Sequence, residues 1–203
     1  MLAIIQARTN SKRFPKKVLH LINNKPLIQY VIFRVKKTTG VSKVVVATSK
    51  NKTDDELARF LKINKVDYFR GSLNNVASRF LEIAKKNKKN FFIRISGDSP
   101  LIQSKIINRG IKLHKKNKKF DLVTNLFPRT FPHGQSVEIL KTSVLKNNIK
   151  KMNKLDLEHV TQYFYRNYSD YLIKNFKFRG KKTSTKFAVD TKKDLNNIIK
   201  NIK

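Results

Sequence analysis

The chain has 203 residues, 39% hydrophobic and 29% charged, with 46 Lys and Arg against 13 Asp and Glu, for a net charge of +33. That length suits one domain able to bury a sizeable core, and the absence of cysteine excludes a disulfide framework, a thiolate metal site and a cysteine nucleophile. The charge raises nucleic acid or an anionic membrane surface as partners, yet the lysines recur along the whole chain, as in Lys85-Lys86-Asn87-Lys88-Lys89, a spread that suits solvated faces better than a concentrated nucleic-acid footprint.

The apolar run Leu2 to Ile5 predicts a buried strand over 2–7 that spills into a loop carrying Arg8, Ser11, Arg13, Lys16 and Lys17. Cations and a hydroxyl at a strand's carboxyl end stand where open α/β sheets bind ligands. The loop is therefore a candidate triphosphate cradle, the alternative being a solvated basic loop. This apolar run is too short for a signal-peptide core, and no later one approaches a membrane span, so a soluble cytoplasmic protein with no membrane partner is expected.

Further strands near 43–48, 66–69, 91–96 and 120–124 alternate with helical patterns near 26–38, 54–64, 74–87 and 103–117, the rhythm of βαβ units around a mostly parallel sheet. Pro26 is expected at a first helical position. Thr53 is expected as an N-cap, with Asp54, Asp55 and Glu56 in the first turn, where the helix dipole favours acids. Arg70-Gly71-Ser72 ends a strand and either approaches a nucleotide or makes a plain turn.

Phe91 to Ile95 reads as a buried strand running into Ser96-Gly97-Asp98. Asp98 falls on the same sheet edge as the Arg8–Lys17 loop, where it either holds Mg²⁺ together with substrate phosphates or caps and braces the turn before the helix near Gln103. Beyond residue 125, Pro128, Pro132 and Gly134 break the chain before a strand over 136–140 and a helical stretch from Lys141. Helical spacing returns at 156–167, a strand-like segment covers 171–178 and a last helix about 191–202. Val189-Asp190-Thr191 is again a short apolar strand ending in Asp. Taken singly Asp190 reads as an N-cap; paired with Asp98 it becomes a second Mg²⁺ ligand.

The fold class read from this order is α/β, a doubly wound, mostly parallel sheet with a small α+β C-terminal extension. The four histidines show no zinc-ligand spacing, and His159, after Glu158, reads as a satisfied interhelical residue. Phe91, Phe92, Tyr163, Phe164 and Tyr165 fit a core better than a base-stacking platform.

In order along the chain, Ile4-Ile5-Gln6-Ala7-Arg8 with Ser11, Arg13, Pro15 and Lys17, then Ala47-Thr48-Ser49 with Asp54-Asp55, Phe69-Arg70-Gly71-Ser72 with Val76 and Arg79, Arg94 to Ile102, Gly134 to Glu138, Glu158-His159-Val160-Thr161 and Val189-Asp190-Thr191 with Asp194-Leu195 resemble the cytidylyltransferase family that makes CMP-activated acidic sugars. That family includes the KDO and acylneuraminate enzymes and the spore-coat-polysaccharide type. The match spans nearly the whole chain. Three departures stand out: Lys16 where many relatives have Gly, Asn75 where Asp is common, and Gln135-Ser136 where Leu-Asp is frequent. The last two touch positions expected to face ribose or sugar.

The resemblance implies a nucleotide-diphospho-sugar transferase-like single domain over 1–203, with a nucleotide-binding half (1–125) and an acceptor-binding, metal-completing half (126–203). It implies attack by a hydroxyl of an acidic, KDO- or nonulosonate-like sugar on the α-phosphate of CTP, with release of pyrophosphate, for surface polysaccharide or glycan synthesis. On the matching positions, Arg8, Arg13, Lys17 and Asp98 are catalytic; Gln6, Ala7, Ser11, Arg70, Gly71, Ser72, Arg79 and Gly97 join Arg8, Arg13 and Lys17 as nucleotide-binding residues; Glu138 and His159 face the acceptor; and Asp98 and Asp190 hold Mg²⁺. A homodimer is expected because relatives commonly form one. Two other readings stay open, a basic nucleic-acid-binding module with steep salt dependence and a catalytically degenerate relative that keeps only the fold.

Overall fold

The apolar pentapeptide Leu2–Gln6 forms β1, near the centre of the sheet in a computed structural model that describes residues 1–180 and 185–201. In chain order follow a small hairpin, β2 (Leu21–Ile22) with β3 (Lys25–Pro26), then α1 (Leu27–Lys36), β4 (Lys43–Ser49), α2 (Asp55–Ile63), β5 (Tyr68–Gly71), α3 (Val76–Lys86), β6 (Phe91–Ser96) and α4 (Ser104–Lys116). The second half adds β7 (Leu122–Thr124), β8 (Glu138–Lys141), α5 (Thr142–Asn148), α6 (Lys154–His159), α7 (Gln162–Arg166), β9 (Ile173–Asn175) and α8 (Lys192–Asn201).

Seven strands join in the order β5-β4-β1-β6-β8-β7-β9. The first four run parallel, β8 is antiparallel to both its neighbours, and β9 is parallel to β7. Alternation along β1 sends Ala3 and Ile5 to one face, packed by α1, α2, α4 and α8, and Leu2 and Ile4 to the other, packed by α3, α5 and α7. Each fully buried aliphatic side chain stabilises this sandwich by about 1.5–3 kcal/mol. The sheet is thus doubly wound and mostly parallel, as expected, and the strands of the C-terminal extension complete the same sheet.

Local chemistry moved several boundaries. The strand expected at 66–69 starts at Tyr68, because Val66 is used to end α2: Lys65 takes φ 51°, its N–H bonds Lys62 O at 3.1 Å, and the Val66 N–H bonds Leu61 O at 2.9 Å, a helix-terminating pattern with an apolar residue just beyond. Pro26 pairs with Leu21 in the hairpin and caps α1 instead of opening it. The continuous helix expected at 156–167 breaks at Val160, whose φ of 57° and ψ of −62° close a three-residue turn, with the Thr161 N–H 2.6 Å from His159 O; β-branched residues rarely take this conformation. Residue 202, in the expected last helix, lies outside the described residues.

Sequence order runs from β1 outward to β4 and β5, then returns to β6 on the other side of β1. Such a reversal splays the two following loops apart and opens a crevice at the carboxyl ends of β1 and β6. Gln6 and Ser96 end these strands in register.

Candidate functional site

The ends of β1 and β6 meet at a glycine that stays outside the cavity lining. The Gly97 N–H donates to Gln6 O at 2.8 Å, and a Cβ on Gly97 would lie 2.6 Å from that oxygen and 2.9 Å from the Ala7 Cβ, so Gly97 serves by letting the two strand ends approach. Above it, the basic loop is fixed from inside the protein. The fully buried Asp54 carboxylate accepts the Thr9 N–H at 2.7 Å and the Thr9 hydroxyl at 2.8 Å, together with the N–H and hydroxyl of Ser49. Burial acts to raise the Asp54 pKa, but these donors outweigh it and hold the carboxyl below its ordinary value. Asp54 is therefore a brace and not a solvated dipole partner of α2. Thr53 does not cap α2: Asp54 stands at its N-cap position without a side-chain cap bond, and Asn51 caps the 3₁₀ turn Lys52–Asp54 before it, accepting the Thr53 N–H at 3.0 Å.

Two acidic segments meet the loop. The Asp98 carboxylate accepts the Ser96 and Ser99 hydroxyls at 2.7 and 3.3 Å, and Lys17 Nζ lies 2.6 Å from its other oxygen. The same Nζ is 2.8 Å from Val189 O and 3.4 Å from Asp190 Oδ1, while Arg13 reaches that oxygen at 2.9 Å. A backbone bond from Val189 N–H to Asp98 O, 2.9 Å, ties the two segments together. Burial works to raise the Asp190 pKa, but Lys186, Lys17 and Arg13 overcome it and hold the group below its usual range. Asp190 is not the helix cap: both its N–H and that of Thr191 go to Asp194 at 2.9 Å, and the Asp194 N–H returns to Thr191 Oγ1 at 3.2 Å. Neither does Asp98 cap α4, for which Gln103 stands at the N-cap.

Gln6, Ala7, Arg8, Ser11, Arg13, Lys17, Asp98 and His159 line one cavity of about 710 Å³. Asn10, Lys12, Leu73, Asn74, Arg94, Ser96 and Glu158 share it, and none of these was singled out for a role from the sequence. Arg8 and Glu158 form an ion pair at 2.7 Å. Arg94 reaches Gln6 Oε1 at 3.2 Å and forms a close ion pair with Glu138. Glu138 itself is fully buried, facing Arg94 from the neighbouring strand and accepting the Tyr165 hydroxyl, whose pKa rises through burial and the adjacent carboxylate. It does not line the cavity, but its partner Arg94 does. A lone cation in the otherwise apolar strand 91–95 was the signal for Arg94.

Other expected residues take supporting positions outside the lining. Arg70 clamps Ser49 O, Asn51 O and Asp55 at 2.9, 3.0 and 2.6 Å. A Cβ on Gly71 would meet Arg79 Cγ at 2.7 Å. Arg79 is fully buried with no hydrogen-bond partner on its guanidinium, and burial lowers its pKa to about 10. The Ser72 hydroxyl accepts the Asn75 N–H at 3.1 Å. The departures also resolve structurally: Asn75 caps α3 through Ser78 N–H at 2.8 Å, and the Gln135 side chain bridges Gln103 N–H and Leu101 O at 3.0 and 2.8 Å.

Among the described residues, no group of three or more His, Cys, Asp or Glu comes together for a metal. What does come together, around the Lys17 ammonium, is Asp98, Asp190 and the Val189 carbonyl. Hard oxygen donors with only two carboxylates fit Mg²⁺, which completes its shell with phosphates and water. A second concavity of about 940 Å³, between α4 and residues 174–179, carries Arg109, Lys112, Lys116, Lys174, Lys177 and Arg179 without a carboxylate. No described helix is long and apolar enough to cross a membrane.

A family model described as cytidylyltransferase matches residues 2–201. A 3-deoxy-manno-octulosonate cytidylyltransferase from Wigglesworthia glossinidia brevipalpis is 32% identical over 86% of this chain and 70% of that protein. The spore coat polysaccharide biosynthesis protein SpsF of Bacillus subtilis is 28% identical over 98% of this chain and 84% of its own length. Among solved structures, a cytidylyltransferase from Leptospira borgpetersenii superposes with a TM-score of 0.92 at 29% identity, covering 97% of this chain and 84% of that one.

Proposed function

The chain belongs to the cytidylyltransferase family, and we propose that it transfers CMP from CTP to a hydroxyl of an acidic, KDO- or nonulosonate-like sugar, for polysaccharide or glycan synthesis. The observation that carries this reading is the convergence of Asp98 and Asp190 on one point beside the basic loop. In the proposed reaction the sugar oxygen bonds to the α-phosphorus, the bond from that phosphorus to the bridging oxygen breaks, pyrophosphate departs, and the hydroxyl proton is lost. Such chemistry depends on positioning and charge neutralisation more than on covalent help.

Arg8, Arg13 and Lys17 neutralise the triphosphate and the leaving pyrophosphate, Arg13 through a planar fork suited to two phosphate oxygens and Lys17 as a point charge. Gln6, Ala7, Ser11, Leu73 and Asn74 shape the nucleoside end. Arg94, fixed by Glu138, and His159 with Glu158 face the acceptor. Asp98 and Asp190 would hold Mg²⁺, which when bound supplies charge neutralisation at the reacting phosphate and lowers the pKa of a nearby hydroxyl. A nucleotide-binding first half, an acceptor-binding second half, a cytoplasmic setting and a homodimer are parts of the same proposal.

The test is pyrophosphate release measured with each of the four nucleoside triphosphates, Mg²⁺ and a panel of acidic sugars. Release with CTP that depends on one acidic sugar supports the reading. Release with another nucleotide, or with neutral sugars alone, contradicts it.

A further inference from the structure

Lys17 does not point at open solvent in the cavity. Its ammonium is seated between the two acidic groups, 2.6 Å from Asp98 Oδ2, 2.8 Å from Val189 O and 3.4 Å from Asp190 Oδ1, with the side chain only 12% exposed. An ammonium has three protons to donate, and these three oxygens take them all. They are also the hard donors available here to a divalent ion, which needs carboxylate oxygens at roughly 2.0–2.1 Å for Mg²⁺. An ion that close to both carboxylates would fall within contact distance of the ammonium, and two cations so near, with no water between them, repel strongly.

We infer that Lys17 and the divalent ion occupy this position in turn. Without nucleotide the tethered ammonium fills it; the triphosphate draws Lys17 toward its own oxygens and so opens the position to the ion. The inference rests on the reading of Asp98 and Asp190 as ion ligands. The local backbone suits such a swing. Lys17 opens a single short 3₁₀ turn, Lys17–Leu19, directly after Lys16 in the left-handed region at φ 54°, so a side-chain rotation suffices while the Asp54 brace keeps the preceding loop in place. Of the two other cations on Asp190, Arg13 on the same oxygen is 71% exposed and leaves the position readily, while Lys186 holds the second oxygen, Oδ2, at 2.9 Å. Ion and triphosphate then bind with positive coupling, each raising the other's affinity by the same factor.

The experiment measures Mn²⁺ binding by water-proton relaxation without nucleotide, for the wild type, Lys17→Met, and Lys17→Met combined with Asp98→Asn. Lys17→Met is expected to bind Mn²⁺ at least about tenfold more tightly than the wild type, since the competing charge is gone, and the double variant to lose that gain. Equal Mn²⁺ affinity in the wild type and Lys17→Met, with both weakened by Asp98→Asn, overturns the exchange and leaves the ion site standing. Binding that ignores Asp98→Asn, or none at all even with α,β-methylene-CTP present, overturns the ion site and the exchange together. Lys17→Gln, shorter and neutral, repeats the comparison if Lys17→Met melts below the assay temperature.

Discussion

The Asp54 carboxylate accepts the Thr9 backbone N–H at 2.7 Å across 45 residues of sequence, so the shape of the basic loop is set by a buried anion and not by the loop's own charges. Asp54→Ala leaves the Thr9 N–H and the Ser49 N–H and hydroxyl without this partner inside the protein, the Thr9 hydroxyl keeping the Thr53 carbonyl, at about 1–3 kcal/mol for each buried group stranded. The expected result is a lower urea midpoint together with a raised KM for CTP, because the segment presenting Arg13 and Lys17 loosens. An unchanged KM at reduced stability would separate the brace from nucleotide binding.

The same brace sets a pH dependence. The carboxyls of Asp54 and Asp190 lie below their ordinary value of 3.8 in the folded protein, and that of Asp194 at about 2. A carboxyl with a depressed folded pKa contributes stability that is fully present above its unfolded value and lost as pH falls through the folded one. The difference in Tm between the wild type and Asp54→Asn is therefore expected to be constant from pH 7 to about 5 and to shrink below pH 4. A gap that widens on acidification would contradict the assignment.

Glu138 tests direct against indirect action. Because it meets Arg94 and Tyr165 and stays out of the cavity lining, Glu138→Gln and Arg94→Lys are expected to raise the acceptor KM by similar factors, with CTP KM little changed. Acceptor KM altered by Glu138→Gln alone would mean that Glu138 touches the sugar itself.

Gly134 holds the second acidic segment in place. It has φ 92°, and a Cβ there would lie 2.3 Å from the Phe187 carbonyl carbon, while Phe187 N–H bonds His133 O at 2.7 Å. Gly134→Ala is expected to displace residues 187–190, lowering kcat while Asp98 and the basic loop stay in position. Turnover equal to the wild type would show that the segment tolerates the shift.

Much of this architecture was readable in the residues. The near-continuous apolar runs at 2–5, 43–48 and 91–95 have only one good burial arrangement, between two helical layers, and the loops after the first and third of them leave the same sheet edge, which puts Arg8, Lys17 and Asp98 together. Asp190 was legible only as half of a pair, since Asp before Thr normally signals a cap, and the cap here is Thr191, whose hydroxyl accepts the Asp194 N–H while the Asp194 carboxylate returns to the Thr191 N–H. Arg94, Glu158 and Tyr165 were missed because their roles depend on cross-strand register and on the break at Val160, and sequence spacing encodes neither. The Asp54 brace was misread for a related reason: three acids in a row look like a solvated helix start until burial shows that the first faces inward.

The most direct measurement is pyrophosphate release from CTP by Asp98→Asn and Asp190→Asn at saturating Mg²⁺, with Tm recorded alongside. If both carboxylates hold the ion at the reacting phosphate, each variant keeps a near-wild-type fold and loses at least about a hundredfold in turnover, several kcal/mol of charge stabilisation being removed. Wild-type turnover in either variant would contradict the account.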